Sequence, residues 1–446
     1  MRRRTVRILT GVVIVVVILG IAYAVAVAIS AAKLRRAYAA LEKAGRPTQV
    51  AQVIPPNVPD ANNAALLYQS AALLLKAQPA PEKDLLAYLG NLVGRSSDKP
   101  LDPEEQAELE SLLRQDVIAQ ALSMLTQGTQ RPSCRFDNDY SAGISMPLSH
   151  LAEQRALARI LGAKALLHAK DGQAEEAWDA ALIQLKFADA LRTEPTIVSQ
   201  LVRVAQIDLA CTTIQRLCEM LVPSEQRLRD LQELLGGYDD ITPLIVATDG
   251  ERLVFGEQTF RLPGKELRDT LDEDDMPDII SRLLFLRVSF KPLFLADHAA
   301  YLRLMQDCTS RFREPYDPNE AGAFDGELFE THKRHVLTRT LLPALGRVKE
   351  VYLRRIAQVR VTRAGLVLLQ YRATHGGFPE TLGALDPDGV RDPFSQVSLL
   401  YRRQGAGFDL YSIGPDQKDN GGLAGQPTRQ RTDYDIVWRY RGRPAP

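Results

Sequence analysis

The sequence predicts a mainly α protein of the α+β class: an N-terminal transmembrane helix, a helical bundle, then a long helix packed on a small antiparallel sheet. Three observations lead there. Residues Ile8–Ala32 form an uninterrupted run with no charged side chain. The middle of the chain carries apolar residues at i, i+3, i+4 and i+7 over several turns. Near the C-terminus the period shortens to two and glycine-rich turns appear. These shifts divide the chain into an anchor over 1–36, a mainly helical domain over 37–340 and a C-terminal domain over 341–446.

At 446 residues the chain can bury a sizeable core without cross-links. Lys plus Arg equals Asp plus Glu, 55 each, so no chain-wide field attracts nucleic acid and none is expected as a partner. Cys134, Cys211, Cys218 and Cys308 contain no CxxC pair and read as small buried apolar residues.

At ~1.5 Å per residue, the run over 8–32 is long enough to cross ~30 Å of hydrocarbon, and through it the chain is expected to partner a membrane. Arg2, Arg3, Arg4 and Arg7 precede it, as they would in a cleaved signal peptide, but the run exceeds an ordinary signal-peptide apolar core and favours an uncleaved anchor. The leading arginines and the amino terminus outweigh Lys33, Arg35 and Arg36, which places the N-terminus inside and the bulk outside. In a bacterium that is a single pass of the inner membrane with a periplasmic body.

Leu34–Ala44 continues the helix, and Gly45 with Pro47, Pro55, Pro56 and Pro59 enforces a linker. Asp60 is expected to cap the next helix, whose apolar face holds Ala64, Leu67, Ala71 and Leu74. The clearest stripes are Ala174, Trp178, Ala181, Leu185 and Ala188, then Ile197, Leu201, Val204, Ile207, Cys211, Ile214 and Cys218. The first follows a Lys170-Asp171-Gly172-Gln173 turn from a helix with Leu157, Ile160 and Leu161, and this hairpin is similar to one tetratricopeptide-type unit. No second copy follows at that period, so a bundle is expected. Between Gly236 and Glu266 the pattern loosens into short apolar runs, and the acidic run Asp269–Asp278 reads as a solvated loop. Ile279–Leu304 reads as a core helix interrupted by charge.

His332 and His335 share the spacing of a metal pair but lack a third ligand in sequence, and His298 reads as a structural histidine. No nucleophile elbow, phosphate-binding loop or dinucleotide fingerprint occurs.

After Pro343 a stripe of Leu345, Val348, Tyr352, Ile356, Val359, Leu366 and Leu369 predicts a long helix. Arg347, Lys349, Arg354, Arg355, Arg360 and Arg363 are expected on its wet face. Gly376 and Gly377 stop it. Leu399–Arg403 and Phe408–Ser412 flank the loop Gln404-Gly405-Ala406-Gly407, and Ile436, Trp438 and Tyr440 alternate as a third strand. A helix laid on three strands buries both apolar faces.

The order Tyr371, Gly377-Phe378-Pro379, Asp392-Pro393-Phe394, Leu410-Tyr411-Ser412-Ile413-Gly414-Pro415-Asp416 and Asp433-Tyr434-Asp435-Ile436 with Trp438 resembles the C-terminal domain of the major pseudopilin of type II secretion systems. The resemblance covers roughly the last quarter of the chain and implies a structural calcium ion. By position, Asp416 would supply a carboxylate, Ile413 a carbonyl, and Asp433 or Asp435, or both, would close the shell, with Asp419 and Asn420 as further contributors. The chain departs from the family in lacking its leader and in placing some 300 residues between anchor and module, so assembly by the family's route is not expected. The expectation is a membrane-anchored bacterial envelope protein with a structural or protein-interaction role, linked through the resemblance to type II secretion, with an unidentified protein partner. The alternative is an envelope hydrolase with its site between the helical and C-terminal domains.

Overall fold

A computed structural model describes residues 2–81, 83–98, 100–262, 266–267, 290–319, 335–342, 345–384, 390–425 and 434–442. It is mainly helical with one small antiparallel sheet, the class the sequence predicts.

The first helix, α1 (Arg2–Lys43), is continuous but changes character along its length. Every residue from Arg7 to Val25 is exposed, and the body covers the helix only from Ala26 onward. Beyond that point Ser30, Ala37 and Leu41 recur at helical spacing and are buried.

Four short helices follow: α2 (Ala64–Lys76), α3 (Leu85–Asp98), α4 (Pro103–Leu113) and α5 (Asp116–Thr129). The cap of α2 is Asn63 and not Asp60, because Asp60 opens a separate 3-10 turn while Asn63 is extended and accepts from Ala65 N–H at 3.1 Å. The predicted hairpin forms from α6 (His150–Lys170) and α7 (Ala174–Phe187). At its turn Gly172 adopts a φ of 75°, and the N–H groups of Gly172 and Gln173 reach back to Ala169 and His168 carbonyls, a Schellman closure. α8 (Ile197–Met220) packs against both helices of the hairpin, and α9 (Glu225–Gly236) follows.

The stretch after Gly236 is more regular than its sequence pattern. α10 (Thr242–Gly250) runs directly into a π-helical turn over Glu251–Glu257. Pro243, Leu244, Ile245, Ala247, Leu253, Val254 and Gly256 are buried and only the narrow strip of Thr242 and Val246 is exposed, which leaves too weak a period to announce a helix. The acidic run Asp269–Asp278 and the first part of Ile279–Leu304 lie outside the described residues. The remainder belongs to α11 (Lys291–Arg313), a core helix that buries Ala299, Tyr301, Leu302, Met305, Cys308 and Phe312. α12 (Val336–Leu341) is short.

α13 (Leu345–His375) buries Val348, Tyr352, Ile356, Val359, Leu366 and Leu369, the predicted stripe. Its basic side chains do not all face water as the pattern suggested. Arg355 is 0% exposed and Lys349 is 7% exposed. The helix lies between α8 and α9 on one side and the sheet on another, so few positions remain wet. Lys349 Nζ donates to the carbonyls of Arg311 and Pro315 at 2.7 and 3.2 Å, closing the C-terminal end of α11. Pro343 lies outside the described residues.

The sheet has the order β1 (Leu400–Gln404), β2 (Gly407–Ser412), β3 (Ile436–Tyr440), antiparallel throughout. Its inner face places Phe408, Leu410, Trp438 and Tyr440 in one core with Leu366 and Leu369 of α13, Ile207 and Ile214 of α8, and Leu231 and Leu235 of α9. That core crosses residue 340 without a break.

Candidate functional site

The C-terminal loop is built around two aspartates that hold backbone. Asp392, 1% exposed, accepts N–H donations from Phe394 at 2.8 Å and Ile413 at 3.0 Å, so the Asp-Pro-Phe corner pins the end of β2. Asp435, 2% exposed, accepts from Gly422 at 2.7 Å and Leu423 at 3.1 Å through Oδ2. Its Oδ1 is buried without a hydrogen-bond partner. Burial pushes the Asp435 pKa up, and the N–H groups of Gly422, Asn420 and Leu423 pull it back.

Asn420 stands between two of the expected ligands: its Nδ2 donates to Asp416 Oδ2 at 3.0 Å, and its backbone N–H faces the Asp435 carboxylate. Asp419 accepts from Tyr411 Oη at 3.0 Å and from Gly421 N–H at 2.8 Å. The structure thus brings Asp416, Asp419 and Asp435 around one loop and places Ile413 at its entrance. Asp433 lies outside the described residues. As a test of fit for a hard cation, the donors are of the right kind, oxygen throughout, and Asp435 Oδ1 is free to accept one. Among the described residues no group of three or more His, Cys, Asp or Glu side chains is placed to hold a metal, so loop carbonyls would have to complete a shell.

A second polar cluster ties the foot of α1 to the body. Arg46 pairs with Asp249 at 2.7 Å, Asp249 lies 3.5 Å from Arg252, and Arg252 pairs closely with Glu257 of the π-helical turn. Tyr38 Oη of α1 donates to Glu257 Oε2 at 2.6 Å. Glu257 and Arg252 are 0% and 1% exposed, so each charge depends on ion pairing for compensation, Arg252 on Glu257 and Asp249, Glu257 on Arg252 and Arg261. His298 stacks on Phe260 with centroids 4.4 Å apart, and burial together with Arg261 and Arg252 lowers its pKa to about 4. It is a neutral structural histidine at physiological pH. The sequence hid this cluster because Tyr38 and Arg46 lie about 200 positions from Asp249, Arg252 and Glu257; the local signal was Glu251-Arg252 inside an apolar stretch.

Along the seam between α8 and α13, Arg355 sits over the Tyr352 ring at 4.3 Å and donates to the Asp240 carbonyl at 2.9 Å. Asp208 faces it from α8. Although the residue is partly exposed, its Oδ1 is shut from solvent, and burial raises its pKa to about 7 against the pull of Arg355 and Arg354. Two other histidines sit beside carboxylates. His150 meets Glu194 at 2.7 Å in the interior, and His335 lies 4.0 Å from Asp297; its sequence neighbour His332 is outside the described residues.

A cleft of about 460 Å³ opens between α3, α4, α6 and α8. Leu101, Leu109, Leu166 and Leu209 give it apolar walls, and Arg159, Lys170 and Arg216 stand around it against one carboxylate, Glu110. Lys170 holds Glu110 at 2.6 Å, leaving the surround net positive. Its volume falls within the usual range for a ligand site. Such a cleft suits an apolar group joined to an acid.

Comparison with protein-family models, curated proteins and solved structures finds no match, so the functional reading rests on this geometry.

Proposed function

We propose that the chain is a single-pass protein of a bacterial envelope, held in the inner membrane by α1, whose periplasmic body binds a protein partner and fixes it near the membrane. The observation that carries this reading is the division of α1. Nineteen residues from Arg7 to Val25 are exposed in sequence, all apolar or small after the first except Thr10, whereas from Ala26 onward one face of the same helix packs against the body. Long contiguous apolar surface is costly in water and favourable in lipid.

The packed half explains how an anchor positions a body. Tyr38, Arg46, Ala37 and Leu41 join α1 to α10 and α11 through buried charge and apolar contact, so the body is fixed to the anchor and does not swing on a free linker. The helical cleft offers the partner a surface with apolar walls and a positive surround. At the C-terminus, the pseudopilin-like reading supplies the link to type II secretion and to calcium. There Asp416 and Asp435 would hold the ion, with Asp433 and the Ile413 carbonyl, and the ion would stiffen the loop without taking part in chemistry. The hydrolase reading needs a site between the helical and C-terminal domains, where α8, α9, α13 and the sheet share one packed core.

The test is extraction and truncation. The full chain should stay in the membrane pellet after alkaline carbonate washing. Deleting residues 7–25 should release a body that loses only the helical signal of the deleted segment and keeps its melting temperature, because those residues are exposed. Release of the full chain by carbonate, or a mature N-terminus beyond Ala28, would overturn the reading.

A further inference from the structure

The lower end of the body carries apolar side chains that the core does not use. Phe290 and Leu293, at the start of α11, are each 43% exposed, and three positions apart they share one side of the helix. Phe290 meets Tyr23 of α1 edge-on with ring centroids 5.3 Å apart. Tyr23 is itself 41% exposed, and Leu19 and Val16, one and two turns before it on the same side of α1, continue the surface at 63% and 61%. The patch is therefore continuous with the exposed apolar face of α1.

Where that patch sits relative to a bilayer follows from helix geometry. Twenty residues at ~1.5 Å each fill ~30 Å of hydrocarbon. Counted from Ile8, they end at Val27, beside Ala26, where the body begins to cover α1. Tyr23 is four residues short of that end, or ~6 Å within the apolar layer. A ring in contact with Tyr23 cannot stand clear of the membrane. The side chains around the patch match that depth: Lys291 on α11 and Lys33, Arg35 and Arg36 on α1 are exposed at or above this level, where cations meet lipid phosphates.

We infer that Phe290 and Leu293 form a second membrane contact, in which the N-terminal end of α11 enters the interfacial layer of the lipid bilayer beside Tyr23. This inference rests on α1 spanning the membrane and adds to it that the body lies down on the lipid. Two contacts, one spanning and one interfacial, fix the tilt of the body as a single helix would not. Tyr23 supplies the amphipathic ring usual at such an interface, and Phe290 and Leu293 add apolar surface beside it. The body then presents its cleft at a set height and angle above the bilayer.

The test uses the full chain reconstituted in phosphatidylglycerol and phosphatidylcholine vesicles with brominated acyl chains, which quench tryptophan by contact. Native Trp178 and Trp438 are 1% and 3% exposed within the body core and give a constant background. Val16→Trp reports the span, and Leu73→Trp, on an exposed face of α2, reports water. Phe290→Trp and Leu293→Trp should lose emission to an extent comparable with Val16→Trp, while Leu73→Trp keeps its emission. Quenching of Val16→Trp with Phe290→Trp and Leu293→Trp as bright as Leu73→Trp would overturn the interfacial contact and leave the anchor standing. Full emission from Val16→Trp would instead overturn the spanning helix, and this inference with it.

Discussion

Gly365 sits where α13 crosses the sheet, and its lack of a side chain is what lets the two surfaces meet. A methyl group there would lie 2.0 Å from Trp438 Cζ3 and 2.1 Å from Cε3, far inside contact distance. The indole has nowhere to go: it is 3% exposed, with Phe408 edge-on at 5.5 Å on the strand beside it. Gly365→Ala therefore sets two effects against each other. Alanine gains about 1 kcal/mol in a helix interior, whereas forcing a methyl into a packed core costs about 3 kcal/mol where the neighbour is a ring held on both sides. The net expectation is a loss of about 2 kcal/mol, read from urea unfolding of the full chain in mild detergent. The cause is separable by a double-mutant cycle. In a Trp438→Leu background the clash is gone, so Gly365→Ala should become neutral or stabilising, with a coupling of about 2 to 3 kcal/mol. Wild-type or higher stability of Gly365→Ala, or additivity in the cycle, would refute the packing described between helix and sheet.

Asp208, whose pKa rises from 3.8 to about 7 on folding, binds its proton more tightly in the folded chain, so its stabilising contribution is full below about pH 4 and lost as pH rises through 7. At about 1.36 kcal/mol per pH unit that loss approaches ~4 kcal/mol; Asp208→Asn should remove it, and a wild-type minus mutant stability difference that stays flat from pH 4 to 8 would contradict the burial argument. Glu257→Ala leaves the buried Arg252 with only the longer pair to Asp249 and should cost about 3 kcal/mol in chemical denaturation, whereas wild-type stability would mean that the network at the foot of α1 is dispensable. For the calcium reading, the full chain should gain about 2.7 kcal/mol at a free calcium a hundred times Kd, and Asp416→Ala should abolish most of the gain. Equal melting temperatures in calcium and in chelator would leave the loop as an ordinary turn. That measurement belongs on the full chain because the C-terminal sheet shares its core with α8 and α9.

What could be read from the chain followed from local rules. The stripes of α7, α8 and α13 predicted which sides are buried, since a 3.6-residue period leaves a mark wherever one face is wet. The Gly405-Ala406 turn and the alternation in β3 announced the sheet for the same reason at a period of two. Reading failed where burial is not one-sided. α10 and the π-helical turn are enclosed except for the narrow strip of Thr242 and Val246 and so carry little period, and Arg355 is buried although its charge argued for water. Contacts between remote segments were also invisible. Nothing local told that Tyr38 would meet Glu257, or that α13 would weld the C-terminal sheet to α8 and α9. In the loop, Asp416 and Asp435 were singled out, but the pinning role of Asp392 was not, though its place before Pro393 in a turn was a fair signal.

The central claim is that one helix crosses a membrane and leaves the whole body on the far side. A reporter enzyme that is active only outside the cytoplasm, fused after Pro446, tests it most directly. The account predicts full reporter activity, retained in the membrane fraction, from a protein that keeps its N-terminus. Activity of a cytoplasm-dependent reporter at the same position, or a soluble active form lacking residues 1–28, would contradict it.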